Sequence, residues 1–213
     1  MKKIAVIGAG GFGQEVFCLW KESLQAQGIP FEFLGFFDDN PAIQQNSYGK
    51  VIGTVEDLNN IDTDLATVIA VGNVTHLKAI SQKIANEKVS FPNIIHPSVS
   101  FLDSQTFKAG NGNIFSMSCI FSCNVVMGSF NVFNTRSTLG HDTEVGSYNV
   151  FSPNAQISGN VKIGSQNMFG FNSGVIQQMQ IGDNNTIGIG SLVIRNIKDN
   201  GTYFGLPAKK INF

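Results

Sequence analysis

An apolar residue recurs at every sixth position along a long central stretch of the chain. The fifteen positions of this series are Ala109, Phe115, Phe121, Met127, Phe133, Leu139, Val145, Phe151, Ile157, Ile163, Phe169, Val175, Ile181, Ile187 and Val193. The residue that follows each of them is usually Gly or Ser. A period of six fits neither the 3.6-residue spacing of a helix nor the alternation of a strand. It is typical of a hexapeptide β-helix, in which short parallel strands form stacked coils.

Three hexapeptides close one coil of such a helix, so residues 18 apart should stack. Phe115, Phe133, Phe151 and Phe169 have this spacing, and they predict an aromatic ladder along one inner face with rungs about 4.8 Å apart. Asn, which is frequent in tight turns, can form a ladder from coil to coil in the same way. Parallel crossovers are normally right-handed, and the periodicity by itself does not indicate another hand.

The residues before this repeat alternate between short apolar runs and helical spacing. Strands are predicted over 3–7, 31–37, 67–71 and 91–95, and helices over 14–26 and about 75–86. Strands that alternate with helices favour a parallel sheet. We therefore predict two domains. An α/β Rossmann-like half domain spans 1–95, and an all-β parallel β-helix with a C-terminal tail spans 96–213.

The turn between the first strand and the first helix is rich in glycine and fits the pattern G-x-G-x-x-G at Gly8, Gly10 and Gly13. Such glycines let the backbone approach a phosphate at a helix N-terminus. Asp38 and Asp39 end the second strand, where an acid for a ribose hydroxyl is expected. Three or four strands make one mononucleotide half, which suits a nucleotide-sugar better than NAD. Two alternatives stay open: the glycines only pack the helix onto the strand, or the domain binds NAD in an oxidoreductase, for which no Tyr-x-x-x-Lys pair is present.

Charge is scarce, and the scarcity lies in the repeat. Charged residues make up 14% of the chain and the net charge is -1, which argues against binding to nucleic acid or to an anionic membrane surface.

No apolar run approaches the roughly 20 residues of a membrane-spanning helix, and the N-terminus lacks the apolar core of a signal peptide. We therefore expect a cytoplasmic protein with no membrane insertion. Its three cysteines suggest neither a disulfide framework nor a zinc site.

The repeat contains one histidine, His141, placed at a corner between two inward positions. Asp142 and Glu144 lie within three residues of it, and Gly159 lies 18 residues on, where the next coil would stack. This pattern favours acyl transfer, with His141 as general base, a carboxylate that orients it and a backbone N–H that faces the oxyanion. An exposed turn histidine in a purely structural β-helix is the alternative. A γ-type carbonic anhydrase would need three histidine ligands, so we expect no metal.

The other histidines are weaker candidates. His76 is expected to cap a helix or lie on the surface, and His96, before Pro97, to lie in a turn at the domain junction. Lys209 and Lys210 follow the last coil and either meet a phosphate or form a solvated tail. Cys119 and Cys123 receive no catalytic role, because the transfer needs no covalent intermediate.

Taken together, these motifs resemble bacterial nucleotide-sugar acetyltransferases of the sialic acid O-acetyltransferase (NeuD) type, and most of all the PglD group of N-acetyltransferases. The matching segments span the chain: 7–13, 37–39, 70–73, 95–98, 134–135, 141–142, the hexapeptides and 205–209. The resemblance implies acetyl-CoA-dependent N-acetylation of a UDP-4-amino-4,6-dideoxy sugar for surface polysaccharide or glycan synthesis. The alternative within the same chemistry is O-acetylation of a sugar hydroxyl.

The resemblance also implies a left-handed β-helix that assembles as a homotrimer, with acetyl-CoA between subunits. His141 matches the catalytic base and Asp142 the acid beside it. The positions that match the acetyl-CoA groove are Gly159, Gly170, Gly188, Gly190 and Lys209. Those that match the nucleotide-sugar pocket are Gly8, Gly10, Gly11, Phe12, Gly13, Asp38, Asp39, Gly72 and Asn73, with Asn134 close to the sugar amine. Members often carry His where this chain has Phe12, so a polar contact to the nucleotide-sugar is expected to be lost or replaced by stacking.

Overall fold

The computed structural model describes residues 1–211, which divide into two compact units, one over Met1–Pro97 and a second that begins at Ser98. The first unit contains seven strands: β1 (Lys2–Ile7), β2 (Phe31–Phe37), β3 (Gln45–Asn46), β4 (Gly49–Gly53), β5 (Leu65–Ile69), β6 (Val89–Ser90) and β7 (Ile94–Ile95). It also contains the helices α1 (Gly11–Ala26) and α2 (Val74–Lys83) and a 3-10 turn over Glu56–Asn60. No helix within 1–211 is both long enough and apolar enough to cross a membrane.

The sheet of the first unit has the order β3-β4-β2-β1-β5-β6. All its neighbouring strands run parallel except β3, which forms an antiparallel hairpin with β4. The predicted Rossmann-like α/β fold is therefore confirmed, but with six strands where three or four were expected. The hairpin escaped prediction because its sequence, QNSYGKVIG, is polar and rich in turn residues. Helix α1 begins at Gly11, three residues before the predicted start, because glycine signals a turn rather than a helix.

Close packing of strand and helix explains two of the glycines in the first turn. A Cβ on Gly13 would lie 1.8 Å from the carbonyl oxygen of Gly8. Gly8 itself has a φ of +103°, and a Cβ there would lie 2.8 Å from the carbonyl oxygen of Ala70. Neither position can hold a side chain without moving α1 or β5.

The second unit is a parallel β-helix with three faces. Within this unit, face A contains β10 (Ile114–Phe115), β13 (Val132–Phe133), β16 (Val150–Phe151), β19 (Met168–Phe169), β22 (Thr186–Ile187) and β24 (Thr202–Phe204), with β25 (Lys209–Ile211) antiparallel to β24. Face B consists of β8 (Ser100–Phe101), β11 (Ile120–Phe121), β14 (Thr138–Leu139), β17 (Gln156–Ile157), β20 (Gly174–Val175) and β23 (Leu192–Val193). Face C consists of β9 (Lys108–Ala109), β12 (Val126–Met127), β15 (Glu144–Val145), β18 (Lys162–Ile163) and β21 (Gln180–Ile181).

Both predicted ladders are present in the coils. The rings of Phe115, Phe133, Phe151 and Phe169 are fully buried and stack with centroid separations of 5.5, 4.4 and 4.7 Å. A buried asparagine column lies at the corner between faces C and A, and consists of Asn113, Asn131, Asn149, Asn167 and Asn185. Each side-chain oxygen in it accepts the backbone N–H of the residue one coil further on, as Asn113 does from Asn131 at 2.8 Å.

The turns between the strands share one backbone feature. One residue in every six, from Gly112 to Gly190, has a φ between +55° and +71°. Twelve of these fourteen residues are not glycine, and Asn and Asp, which tolerate this backbone region best, are the most frequent. The second unit is the left-handed parallel β-helix that the family resemblance implied.

The six-residue period does not extend to either end of the β-helix. Phe121 pairs with Phe101, 20 residues earlier, and Thr202 pairs with Thr186, 16 residues earlier. The first coil thus contains two extra residues and the last coil lacks two, which breaks the period at both ends.

Candidate active site

His141 and Asp142 occupy the corner between faces B and C, in the turn from β14 to β15. The Nδ1–H of His141 donates to Oδ2 of Asp142 at 2.7 Å, and Asp142 has a φ of +56°. The hydrogen bond from His141, reinforced by one from Asn124, lowers the pKa of the Asp142 carboxyl below its ordinary value. Because the carboxylate holds the proton on Nδ1, the lone pair of the neutral ring is on Nε2. The His141 side chain is 59% exposed, so Nε2 is accessible to a substrate.

Gly159 lies directly against the free nitrogen of His141. A Cβ on Gly159 would be 2.5 Å from Nε2, so any other residue at this position would clash with the ring. The backbone of His141 is fixed by the N–H of Asn160, which donates to its carbonyl oxygen at 2.8 Å. Within residues 1–211, the N–H of Gly159 donates no hydrogen bond. The edge of the His141 ring that carries Nε2 therefore packs against the Gly159 backbone, which leaves room for it only because Gly159 has no side chain.

The two acids near His141 take different positions. Asp142 contacts the ring, whereas Glu144 points outward from face C and pairs with Lys162, Oε1 to Nζ, at 2.9 Å. Both members of this pair are about 60% exposed, so the ion pair adds little to stability. Only Asp142 can orient the imidazole.

Sequence reasoning missed Asn124, which lies 18 residues before Asp142 and one coil below it. Its Nδ2 donates to Oδ1 of Asp142 at 2.9 Å. The two carboxylate oxygens thus each accept one side-chain hydrogen bond, from Asn124 and from His141. The 18-residue spacing that placed Gly159 would also have found Asn124, had it been applied toward the N-terminus.

The other predicted residues of the second unit, which are Asn134 near the sugar amine and the remaining acetyl-CoA residues, lie elsewhere. Asn134, Gly170, Gly188 and Gly190 occupy the corner between faces A and B, across face B from His141. Lys209 lies on β25, opposite Phe204 of β24. Within one chain, therefore, the structure brings Gly159 together with His141 and Asp142 but leaves the remaining groove residues apart from them.

Face C carries an open groove with a volume of about 1090 Å³ that reaches the corner at which His141 and Asp142 lie. Asn124 and Asp142 form its rim, and the inward strand residues Met127, Val145 and Ile163 contribute to its lining. Among residues 1–211, no three His, Cys, Asp or Glu side chains group closely enough to hold a metal ion.

A second pocket, of about 330 Å³, opens in the first unit at the carboxyl ends of β1 and β2. Its lining includes Gly8, Asp38, Asp39, His76 and Lys83. This is the edge of a parallel sheet at which ligands of open α/β folds bind. His76, expected to be a cap or surface residue, is exposed and lines this pocket.

The polar residues predicted for the nucleotide-sugar hold the backbone around this pocket. Asp38 accepts the N–H of Ala9 in the glycine turn at 2.7 Å, and Asp39 accepts the N–H of Val55 at 2.8 Å. Asn73 is the N-cap of α2, because its Oδ1 accepts the N–H groups of Thr75 and His76 at 3.0 Å. The acids that were expected at a ribose hydroxyl therefore have a clear structural task, which the sequence did not indicate.

Open space surrounds the remaining glycines of this region. Nothing lies within 4 Å of a Cβ built on Gly10, Gly11 or Gly72. Gly10 is the N-cap of α1 and has no side chain to cap the helix, and Phe12 lies in the first turn. The N–H groups of such a turn favour an anion.

His96 and Cys119 are both buried, and each has a hydrogen-bond partner or close polar contact. His96 is not a free turn residue. It is 7% exposed and its Nε2 lies 2.9 Å from Oε2 of Glu22 on α1. Cys119 is buried and its Sγ–H donates to the carbonyl oxygen of Asn134; burial raises the pKa of this thiol to about 12, so it is not a nucleophile at neutral pH.

Comparison with known proteins matches both units. Residues 3–84 match the PglD N-terminal domain family. The chain is similar to the acetyltransferase domain of PglB from Neisseria gonorrhoeae, solved in complex with acetyl coenzyme A, with 31% identity, 99% of each chain covered and a TM-score of 0.87. It is also similar to PerB from Caulobacter crescentus, solved with CoA and GDP-perosamine, with 25% identity, a TM-score of 0.87, and 100% of this chain and 98% of that chain covered.

A third solved structure, WeeI from Acinetobacter baumannii, has the same fold at 24% identity, with a TM-score of 0.86, 99% of this chain covered and 100% of that chain covered. A search of curated protein sequences finds no match.

Proposed function

We propose that this chain, which belongs to the PglD-type family of hexapeptide-repeat acetyltransferases, transfers the acetyl group of acetyl-CoA to the amino group of a nucleotide-linked amino sugar. The observation that carries the proposal is the exposed imidazole of His141, which has Asp142 bound at Nδ1 and its Nε2 edge beside the side-chain-free Gly159. The acetyl-CoA complex of the PglB domain and the GDP-perosamine complex of PerB support the choice of donor and acceptor.

The geometry suits a direct transfer. Nε2 of His141 accepts a proton from the sugar amine as the nitrogen attacks the thioester carbonyl, and Asp142 stabilises the imidazolium that forms. The N–H of Gly159 faces the oxyanion of the tetrahedral intermediate. When the intermediate collapses, the C–S bond breaks and His141 returns the proton to the departing thiolate. The products are an N-acetyl sugar and free CoA, and no acyl-enzyme forms.

The acceptor's nucleotide belongs in the pocket of the first unit. The open first turn of α1, at Gly10 and Gly11, suits the diphosphate, and Asp38 keeps that turn in place. Phe12, where relatives often carry His, offers a stacking surface in place of a polar contact. By resemblance the acceptor is a UDP-4-amino-4,6-dideoxy sugar used in the synthesis of a surface polysaccharide or glycan.

A homotrimer with the active site between subunits accounts for the separation of the groove residues. Gly170, Gly188 and Gly190 lie across face B from His141, so a second copy would have to bring its own corner there. Closed cyclic symmetry would complete three identical grooves. Native mass spectrometry is expected to give three chains, and a fully active monomer would contradict this assembly.

An acceptor panel tests the proposed activity. Purified protein with acetyl-CoA should release CoA thiol when supplied with UDP- or GDP-linked amino sugars, and not with the matching hydroxy sugars. Release with the hydroxy sugars alone would favour O-acetylation instead. In the same series, an NAD titration should leave Trp20 fluorescence unchanged, whereas quenching by NAD and not by a nucleotide-sugar would favour the oxidoreductase alternative.

A further inference from the structure

We infer that Asn124 is a positioning residue that holds Asp142 in the orientation His141 needs. The relay runs from Nδ2 of Asn124 to Oδ1 of Asp142 at 2.9 Å, and from Oδ2 of Asp142 to Nδ1 of His141 at 2.7 Å. Its kinetic consequence rests on the proposed acetyl transfer, whereas its structural consequence does not.

The turn alone accounts for only part of what Asn124 does. Its φ of +58° fits the series of left-handed turn residues, in which Asn is favoured for its backbone. The backbone N–H of Asn124 is satisfied separately, by Oγ1 of Thr106 at 2.9 Å. The side-chain amide is therefore not needed to complete the turn, and it donates to a carboxylate whose other oxygen is bound to the catalytic base.

The chemistry of a carboxylate explains why this donor matters. Both Asp142 and Asn124 are exposed, so water competes for each oxygen and the carboxylate can rotate about its terminal bond. A fixed donor on Oδ1 restricts that rotation and leaves Oδ2 aimed at the imidazole. The low pKa of Asp142, to which the Asn124 hydrogen bond contributes, agrees with this arrangement. The outcome is a single tautomer of His141, with Nε2 unprotonated toward Gly159.

Two substitutions at this position separate the amide from the turn. Asn124→Gly keeps the left-handed backbone and removes the donor, and Asn124→Asp keeps the shape and places a second carboxylate against Asp142. The matched control is Asn184→Gly. Asn184 has a φ of +56°, is exposed, and lies at the corner between faces C and A.

The first readout is 15N NMR of the His141 ring in the free protein. The wild type and Asn184→Gly are expected to show one tautomer, protonated at Nδ1, whereas Asn124→Gly should show a mixture. The second readout is acetylation. Asn124→Gly should lower kcat about tenfold, the effect of losing one hydrogen bond to a charged group, with the KM for acetyl-CoA unchanged. Asn124→Asp should lower kcat further, because its carboxylate repels that of Asp142 and cannot donate to it.

The two readouts fail independently. An Asn124→Gly protein that keeps a single tautomer would overturn the positioning role, and so would losses of kcat matched by Asn184→Gly. Because the NMR measurement needs no substrate, a mixture of tautomers in Asn124→Gly supports the positioning role even if no sugar is acetylated. The absence of acetylation would then count against the proposed function alone.

Discussion

In the β-helix of the second unit, His141, Gly159 and Asn124 come together because residues about 18 apart occupy the same place on successive coils. The pocket of the first unit differs, because the segments that line it have no regular spacing in the sequence. Gly8 there follows β1, Asp38 follows β2, and His76 and Lys83 come from α2. In a repeat fold, the number of residues between two positions determines whether they are in contact. In a sheet covered by helices, the order of the strands determines it. The comparison predicts that single substitutions in the coil act on chemistry, and those in the first unit on binding or folding.

The largest difference should come from the two histidines that line the sites. His141→Ala removes the base and should lower kcat roughly 10²–10⁴-fold, with acetyl-CoA affinity unchanged by calorimetry. His76→Ala, in the first unit, should raise the KM for the nucleotide-sugar with kcat almost unchanged. Equal turnover of wild type and His141→Ala would remove His141 from the mechanism.

The next largest difference in kcat should be between two glycine variants of the β-helix. Gly159→Ala places a methyl group 2.5 Å from Nε2 of His141, and the displacement of the ring should lower kcat about 10²-fold. Gly174→Ala on face B meets the flexible end of Leu192 at 3.1 Å and the carbonyl oxygen of Gln156 at 3.8 Å, and it should be nearly neutral. Stopped assays of the two variants at matched protein concentration measure the difference. A fully active Gly159→Ala enzyme would contradict the need for the close contact between Gly159 and the His141 ring.

Glycines of the first unit should instead affect stability. Gly13→Ala forces a methyl group against the Gly8 carbonyl and should lower the free energy of unfolding by about 1–3 kcal/mol, as overpacked sites do. Gly11→Ala meets open space and serves as the control, with a slight gain from its higher helix propensity. Urea unfolding followed by Trp20 fluorescence reports on this unit, since Trp20 is buried on α1. Equal midpoints for the two variants would contradict the close approach of α1 and β1.

The smallest effect is a pH dependence at the catalytic corner. The folded-state pKa of Asp142 lies below its unfolded value, so its hydrogen bonds favour the folded state above about pH 4 and that contribution is lost as the pH falls through the folded pKa. The difference in melting temperature between wild type and Asp142→Asn should therefore be constant near neutral pH and shrink below pH 4. A difference that grows on acidification would have the wrong sign.

Much of the coil could be predicted because its rule is local and repeated. The Phe ladder, the Asn column and the approach of Gly159 to His141 all follow from the 18-residue spacing. The ends of the coil could not, because two residues are added before β9 and two are missing after β23, and the hairpin β3-β4 carries no alternation. Asp38 and Asp39 were predicted as ligand contacts, but their hydrogen bonds to the N–H groups of Ala9 and Val55 depend on segments distant in sequence. The separation of Gly188 from His141 follows from the same count, because the two residues are 47 positions apart and 47 is not a multiple of 18; the family resemblance alone does not show it.

The most direct test of the central claim is mass spectrometry of the product made from acetyl-CoA and a nucleotide-linked amino sugar, before and after mild alkaline hydrolysis. We expect one added acetyl group that survives the base, as an amide does, and that is absent when His141→Ala replaces the wild type. An acetyl group removed by the base would be an ester, and that result, or acetylation independent of His141, would contradict the account.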